Sequence, residues 1–182
     1  MAARPLRFDP VAEARRNWVE HGWGDAADGM ALVTSVVRVQ QIFLARIERT
    51  LAPFGLTFAR YEVLMLLTFT RTGQLPLGKI GKRLQVHPAS VTNVIDRLEA
   101  DGLVRRRPHP TDQRTTLAAI TAKGRKVAAA ATDVLNTEVF AQVGPGPEEL
   151  VELFDALATL RHAAGDFEAA PDQAGSVVNL RS

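Results

Sequence analysis

Arginine side chains are concentrated in one short stretch of the chain, with a spacing that suits binding to a polyanion. Arg105, Arg106 and Arg107 are consecutive in a strand-like segment, and Arg114 follows at the end of the turn PHPTDQR. A guanidinium binds phosphate through paired hydrogen bonds. Alternation along a strand sends the three arginines to both faces. Three arginines on one short strand are hard to explain by folding alone, so the segment predicts a contact with nucleic acid.

The turn between the two predicted strands has its own chemistry. An arginine at a hairpin tip can insert into a narrow minor groove, where the potential is strongly negative. Asp112 lies two residues before Arg114 and can brace the loop through backbone N–H groups or an arginine of the same hairpin. Arg114 is therefore predicted to contact DNA; the alternative is a solvated loop arginine.

A predicted helix that begins near Pro88 carries small polar side chains opposite its apolar side. A helix of this kind can enter a major groove, where Asn pairs with adenine and hydroxyl groups bond base edges or phosphates. Asp96 is predicted to pair with an arginine or to lie too far along the helix to reach the duplex. The alternative is an ordinary amphipathic surface helix. The residues assigned to DNA contact are Lys79, His87, Ser90, Thr92, Asn93, Arg97, Arg106, Arg107 and Arg114.

These residues belong to one continuous pattern, at 77–121. Two short helical patterns come first, and Gly102 ends the second. A basic strand, a Pro-containing turn and a second strand follow. The order predicts a helix-turn-helix with a β-hairpin wing.

Helical periodicity dominates the rest of the chain. Asp9 and Pro10 predict the cap and first turn of a helix to about Val19, and the glycine-containing stretch 21–29 predicts a break. The further predicted helices span about 30–51, 58–70 (capped by Thr57), 122–143 (capped by Thr121) and 148–163, with a break at GPGP, 144–147.

The long amphipathic helices at both ends flank the basic module and need a partner surface. The economical solution is a homodimer in which the terminal helices of two chains interdigitate; the alternative is an intramolecular bundle. We divide the chain into an N-terminal extension (1–29), a dimerisation helix (30–54), a winged helix-turn-helix (55–121), C-terminal dimerisation helices (122–165) and a polar tail (166–182). The fold class is mainly α with a small β-hairpin wing.

Composition excludes several classes of protein. Residues 79–125 hold 10 Lys/Arg and 4 Asp/Glu, a net +6 in a chain of net +2, which indicates a local polyanion site. The absence of cysteine excludes disulfides, thiolate metal sites and thiol-based sensing. The four histidines have no metal-ligand spacing, and no nucleophile or phosphate-loop motif is present, so no enzyme, metal or cofactor is predicted. No apolar run approaches the ~20 residues of a membrane span, which predicts a cytoplasmic protein.

The chain resembles the MarR family of winged-helix regulators from about Met30 to Ala163. The resemblance is carried by VHPASVTNVIDRLEADGLVRR, PTDQR and ITAKG. It implies a triangular homodimer with two winged-helix lobes that binds a palindromic operator. Such a protein usually represses, and a small aromatic or phenolic ligand often releases it. The family's helix contacts map onto Ser90, Thr92, Asn93 and Arg97, and its wing-tip arginine onto Arg114.

The sequence departs from the family pattern in the wing, with His109 at a common aspartate position and Gln113 in place of an arginine. A urate-sensing branch uses a tryptophan, an aspartate and arginines. Trp18 matches that tryptophan, but Glu62 and Val94 stand at the other positions, so urate is not carried over.

The aromatic candidates for lining an effector site are Trp18, His21, Trp23, Phe43 and Tyr61; the alternative is that each is a core or interface residue. The sequence thus predicts a dimeric, double-stranded-DNA-binding regulator with a possible small aromatic ligand. A winged-helix protein-interaction module without ligand response is the alternative.

Overall fold

The computed structural model describes residues 6–112 and 114–168. Residues 1–5, Gln113 and most of the predicted polar tail, 169–182, lie outside that part of the chain. The described residues form two compact units that divide between Gln142 and Val143. The elements of the first unit are α1 (Pro10–Glu20), α2 (Gly24–Leu51), α3 (Phe58–Thr68), β1 (Gln74–Pro76), α4 (Leu77–Leu84), α5 (Pro88–Ala100), β2 (Val104–Pro108), β3 (Thr116–Ile120) and α6 (Ala122–Glu138).

Helices α1 and α2 form a hairpin with a shorter connection than the sequence predicted. The Asp9 carboxylate caps α1 as expected, accepting from the Val11 N–H at 2.9 Å. Gly22 takes the left-handed conformation (φ 83°) that ends α1. However, α2 begins at Gly24, six residues before the predicted start. The predicted break over 21–29 is therefore wrong beyond Trp23, because the buried Ala27 outweighs the poor helix propensity of glycine.

Helix α3 lies at the centre of the winged-helix core. Its Thr57 cap accepts from the Arg60 N–H at 3.3 Å, as predicted. Its inward residues pack with the apolar sides of α2, α4, α5 and α6. The winged-helix core includes Ile47, Leu51, Val63, Leu64, Leu67, Ile80, Val91, Ile95, Leu98, Leu103, Val104, Ala118, Ala128, Ala131 and Leu135.

The wing is a three-stranded antiparallel sheet in the order β1-β3-β2. The predicted hairpin pairs Val104 with Ile120 at its base and Pro108 with Thr116 towards its tip. The third strand, β1, was missed, since three residues are too few to show alternation. It is an edge strand, which is where a proline such as Pro76 is tolerated.

The start of α6 presses directly on the wing. Thr121 caps the helix as predicted, accepting from the Gly124 N–H at 2.9 Å. A Cβ added to Gly124 would lie 2.1 Å from the Leu103 carbonyl oxygen. The close approach of α6 to β2 therefore requires glycine at position 124.

Helix α6 ends at Glu138, five residues before the predicted end, and a 3₁₀ turn, Phe140–Gln142, follows. Arg46 of α2 donates hydrogen bonds to the carbonyl oxygens of Glu138 and, at 2.9 Å, Gln142. A cation that binds the free carbonyl groups of a helix end stabilises that end.

The second unit contains α7 (Pro147–Ala163). Its start agrees with the predicted restart after the GPGP break, and the Glu149 carboxylate accepts from the Gly146 N–H at 2.7 Å. No residue of α7 is buried. Its large exposed apolar side chains are Val151, Leu153, Phe154, Leu157 and Leu160.

Helix α2 also leaves a large apolar surface exposed. This surface, the α2 apolar surface, comprises Leu32, Val33, Val36, Val37, Val39, Ile42 and Leu44. Together with the following turn, Gly24–Phe54 is long and apolar enough to cross a membrane by length and composition. That finding corrects the expectation that no such segment exists. A single helix of this kind is weak evidence for a membrane span.

Candidate nucleic-acid interface

Helix α5 places polar residues on its exposed side, as the sequence predicted. Val91, Ile95 and Leu98 are buried in the winged-helix core. The four residues expected to read DNA from this helix, Ser90, Thr92, Asn93 and Arg97, are all exposed. The Thr92 hydroxyl donates to the Pro88 carbonyl oxygen at 3.2 Å, which holds its side chain near the helix N-terminus. That end therefore offers hydroxyl and amide groups to a groove.

The connection from α4 to α5 fixes the angle between the two helices. Gln85 takes a left-handed conformation (φ 52°) after α4. Gly81 lies against Val91, whose Cγ2 would be 3.2 Å from an added Cβ. This close packing sets α4 against α5, and Lys79 of α4 is exposed.

His87 caps the start of α5. Its Nδ1 accepts a hydrogen bond from the Ala89 N–H at 3.2 Å. The ring must be without a proton at Nδ1 to accept, so a neutral ring carries its proton at Nε2. His87 is exposed and lies where the free N–H groups of the helix attract phosphate.

Asp112 holds the described part of the wing tip in a defined turn. One carboxylate oxygen accepts from the Arg114 N–H at 3.0 Å and the other from the Thr115 hydroxyl at 2.6 Å. These bonds lower the pKa of Asp112, and the bond from the Thr115 hydroxyl has the largest effect. The Arg114 side chain takes no part in them and is exposed. The aspartate therefore orients the backbone and leaves the arginine side chain available.

His109 has a local role at the same tip. Its Nδ1 lies 3.4 Å from the Thr111 N and 3.3 Å from the Thr111 hydroxyl oxygen. The backbone N–H of His109 donates to the Thr115 carbonyl oxygen at 3.1 Å. The histidine thus forms side-chain contacts within the loop where the family pattern has an aspartate.

The three consecutive arginines of β2 alternate in exposure. Arg105 and Arg107 are exposed, whereas the Arg106 side chain is 28% exposed and turns towards α5. Arg106 donates to Glu99 at 2.6 Å and to Asp96 at 2.5 Å. The guanidinium is therefore committed to two carboxylates. This geometry does not support Arg106 as a DNA contact, whereas Asp96 does pair with an arginine as expected.

Sequence reasoning missed the role of Glu99. Its carboxylate accepts from both the backbone N–H of Arg106, at 2.8 Å, and the guanidinium, at 2.6 Å. These contacts lower the pKa of Glu99, and the hydrogen bond from the Arg106 backbone N–H has the largest effect. The signal available in the sequence was the seven-residue distance to an arginine across a glycine-terminated helix, which is too common to be specific.

The five aromatic candidates for an effector site do not come together. Trp18, His21 and Trp23 cluster at the α1–α2 turn, with Trp ring centroids 5.2 Å apart. Phe43 packs against the winged-helix core, and Tyr61 lies within it. Twenty residues of helix separate Trp23 from Phe43, about 30 Å. Within a protomer the five candidates therefore do not line one common site, and a role for any of them in binding an effector stays a prediction.

Tyr61 and Glu62 have separate environments on α3. The Tyr61 hydroxyl lies 3.0 Å from the Thr132 hydroxyl oxygen of α6, which satisfies a buried polar group. Glu62 is half-buried, and burial raises its pKa. The Tyr61 side chain is thus accounted for by packing between α3 and α6.

Two open clefts meet at an ion pair that the sequence did not predict. Arg60 of α3 donates to Asp101, at the end of α5, at 3.1 Å. One cleft, about 530 Å³, extends towards Phe54 and Lys123, and the other, about 390 Å³, extends towards Asn93 and Arg97. The second cleft thus adjoins the exposed face of α5. Within residues 6–112 and 114–168, no cluster of His, Asp and Glu could hold a metal ion.

Comparison with known proteins agrees with this arrangement. The model of the MarR family matches residues 56–116. The regulator MhqR of Bacillus subtilis is 41% identical over 70 residues, which are 38% of this chain and 47% of MhqR. The chain thus spans about half the length of the first curated relatives it matches.

Solved structures extend the match. The crystal structure of Sco5413, a MarR family transcriptional regulator from Streptomyces coelicolor, is 51% identical, with a TM-score of 0.71, and covers 78% of this chain and 99% of that one. Sco3205 from the same organism, solved in complex with DNA, shares the fold at 23% identity, with a TM-score of 0.64 over 78% and 92% of the two chains. With its winged helix-turn-helix and its identity to Sco5413, the chain belongs to the MarR family of transcriptional regulators.

Proposed function

We propose that the protein is a homodimeric repressor that binds a palindromic operator and is released by a small aromatic or phenolic ligand. The observation that carries DNA reading is the exposed polar face of α5 above a buried apolar side, next to a braced wing tip with a free Arg114 side chain. Lys79, His87, Arg107 and Arg114 are the proposed phosphate and minor-groove contacts, and Ser90, Thr92, Asn93 and Arg97 the proposed α5 contacts. Arg106 is not among them.

A second copy of the chain is the proposed partner of the α2 apolar surface. Seven large apolar side chains on one helix, each at least 40% exposed, are more than a soluble monomer ordinarily leaves in contact with water. The apolar side of α7, considered separately, has the same need. A homodimer with two-fold symmetry would cover such surfaces and place two copies of α5 for an inverted repeat.

Selection of bound sites from a random duplex pool tests the DNA-reading proposal. We expect an inverted repeat with half-site centres ~34 Å apart, one turn of B-DNA, because two symmetric helices enter successive major grooves. Asn93→Ala, applied to the selected operator, should relax base preference at one position by ~1–3 kcal/mol. A pool without sequence enrichment would contradict the proposal and would favour the alternative, a protein-interaction module without ligand response.

The effector is proposed to bind at the aromatic cluster of the α1–α2 turn. The Trp18–His21–Trp23 cluster remains the proposed contact for an aromatic ligand, because the exposed rings of His21 and Trp23, packed beside the partly buried Trp18, offer stacking surfaces. Titrating the protein–operator complex with phenolic carboxylates, while following tryptophan fluorescence and DNA release together, tests it. Release without a fluorescence change, retained in Trp18→Leu and Trp23→Leu, would place the ligand elsewhere. We propose a cytoplasmic protein without an enzymatic activity, in keeping with this function.

A further inference from the structure

Arg106 connects the two parts of the candidate interface, α5 and the wing. Its guanidinium donates to Asp96 at 2.5 Å and to Glu99 at 2.6 Å, both on α5, while the arginine itself belongs to β2. Its backbone N–H adds a third bond to Glu99 at 2.8 Å. Two groups of one residue therefore hold two successive turns of α5.

The backbone bond has a specific meaning in the sheet. Among residues 6–112 and 114–168, strand β2 pairs with β3 alone, so alternate N–H groups of β2 face away from the ladder. The Glu99 carboxylate accepts one of them and takes the place that a further strand would have. This contact fixes the strand relative to the helix in a way that an exposed ion pair between two long side chains cannot.

The charges involved are otherwise unfavourable for DNA binding. Asp96 and Glu99 put two negative charges on the element that carries the proposed base contacts, against one positive charge from Arg106. A carboxylate near phosphate lowers affinity through repulsion. Attraction to DNA therefore does not explain the two carboxylates on α5, whereas their shared pairing with Arg106 does.

We infer that the Arg106–Asp96–Glu99 cluster positions α5 relative to the wing and thereby sets sequence selectivity. The cluster joins α5 and the hairpin into one rigid unit. The α5 contacts and the Arg114 side chain then meet the operator at a fixed distance and orientation from each other. Arg106 is a positioning residue in this arrangement and touches no base. This inference rests on the proposed function.

Electrostatics and positioning predict opposite signs for Glu99→Ala. Removal of a negative charge should tighten binding to every duplex if charge alone matters. Loss of the cluster should instead weaken binding to the selected operator about tenfold, while binding to a shuffled duplex stays equal or tightens. Arg106→Lys keeps the charge but cannot hold the Asp96 and Glu99 carboxylates in the same geometry, so it should lose selectivity in the same direction.

The experiment measures the affinity of the full chain for the selected operator and a shuffled duplex by fluorescence anisotropy at one salt concentration. Asp101→Asn is the matched control, since it removes a negative charge at the end of α5 that pairs with Arg60 of α3 and not with the wing. It should bind both duplexes as tightly as the wild type or more tightly. Thermal unfolding confirms that each variant folds, and Asp96→Asn replaces Glu99→Ala if that variant does not.

The ratio of operator affinity to shuffled-duplex affinity decides whether the cluster sets selectivity. A fall in the ratio of operator to shuffled affinity for both Glu99→Ala and Arg106→Lys, but not for Asp101→Asn, supports the inference. An unchanged ratio in the folded variants, or tighter binding of Glu99→Ala to both duplexes, overturns it while leaving the proposed function intact. Failure of the wild type to distinguish the two duplexes would instead contradict the proposed function itself and the inference with it.

Discussion

The winged-helix core and the α2 apolar surface contain the same kinds of residue in opposite environments. Leu64, Ile95 and Leu98 are fully buried, whereas Val33 is 63% and Ile42 58% exposed. The core completes its packing within one chain, and the described contacts of α2 leave its apolar surface open. The first region is therefore stabilised by contacts within one chain, whereas the second exposes apolar area that suits contact with another surface.

The largest effect is expected where the core leaves no space. Gly124→Ala should lower the free energy of unfolding by about 2–3 kcal/mol, because the added Cβ would overlap the Leu103 carbonyl oxygen. Gly78→Ala is the matched control, since its added Cβ meets no described atom within 4 Å beyond its chain neighbours and its own helix backbone; within a helix it should be more stable by about 0.5–1 kcal/mol. Denaturant unfolding measures both, and equal stabilities for the two variants would refute the tight contact.

The next effect concerns self-association. Val36→Asp should weaken dimerisation about 100-fold or more, because the interface would bury an unpaired charge, while the unfolding of the monomer changes little. Ala59→Asp, on the exposed first turn of α3, adds the same charge away from that surface. Sedimentation equilibrium of the two variants provides the measurement. Identical dimer dissociation constants would show that α2 is not the interface.

A smaller effect is expected at the wing tip. Arg114→Ala should reduce operator affinity several-fold and lower the slope of affinity against salt by about 1, because one cation fewer displaces counterions. Arg71→Ala removes the same charge beside β1, at the opposite end of the sheet from the tip, and should leave both quantities unchanged. Salt titrations of both variants check this, and equal slopes for all three proteins would exclude Arg114 from the interface.

The smallest effect is a pH dependence at the contact between α5 and β2. The pKa of Glu99 is lowered by Arg106, so its contribution to stability is present above the ordinary value of 4.5 and is lost as pH falls through the folded value. The wild type should therefore lose its stability advantage over Glu99→Gln below about pH 4.5. Urea unfolding at several pH values measures it. A constant difference across that range would contradict the assigned cause.

Sequence patterns predicted those parts of the fold that depend on local chemistry. Caps at Asp9, Thr57 and Thr121, the stop at Gly102 and the apolar side of α5 all leave short-range signals. The start of α2 and the strand β1 were missed because they depend on contacts with distant residues. Ala27 is buried in a helix that packs against α1, and three residues at Gln74–Pro76 become a strand only beside β3.

The candidate interface follows the same rule. The exposed positions on α5 were predictable from a 100° rotation per residue. The pairing of Arg106 with Glu99 was not predictable, because the seven-residue spacing between them fits an unpaired arginine equally well. The separation of Phe43 and Tyr61 from the tryptophans likewise required the length of α2, which periodicity alone underestimated.

The contact between Gly124 and Leu103 packs the start of α6 directly against the start of the wing. Backbone meets backbone there, with no flexible side chain between them to absorb a displacement. Helix α6 has 17 residues and is about 25 Å long, so a shift of about 2 Å at its far end corresponds to a tilt of about 5° at the wing. Arg46 of α2 holds that far end. A displacement of that far end would therefore reach β2 as a rotation of the helix about Gly124.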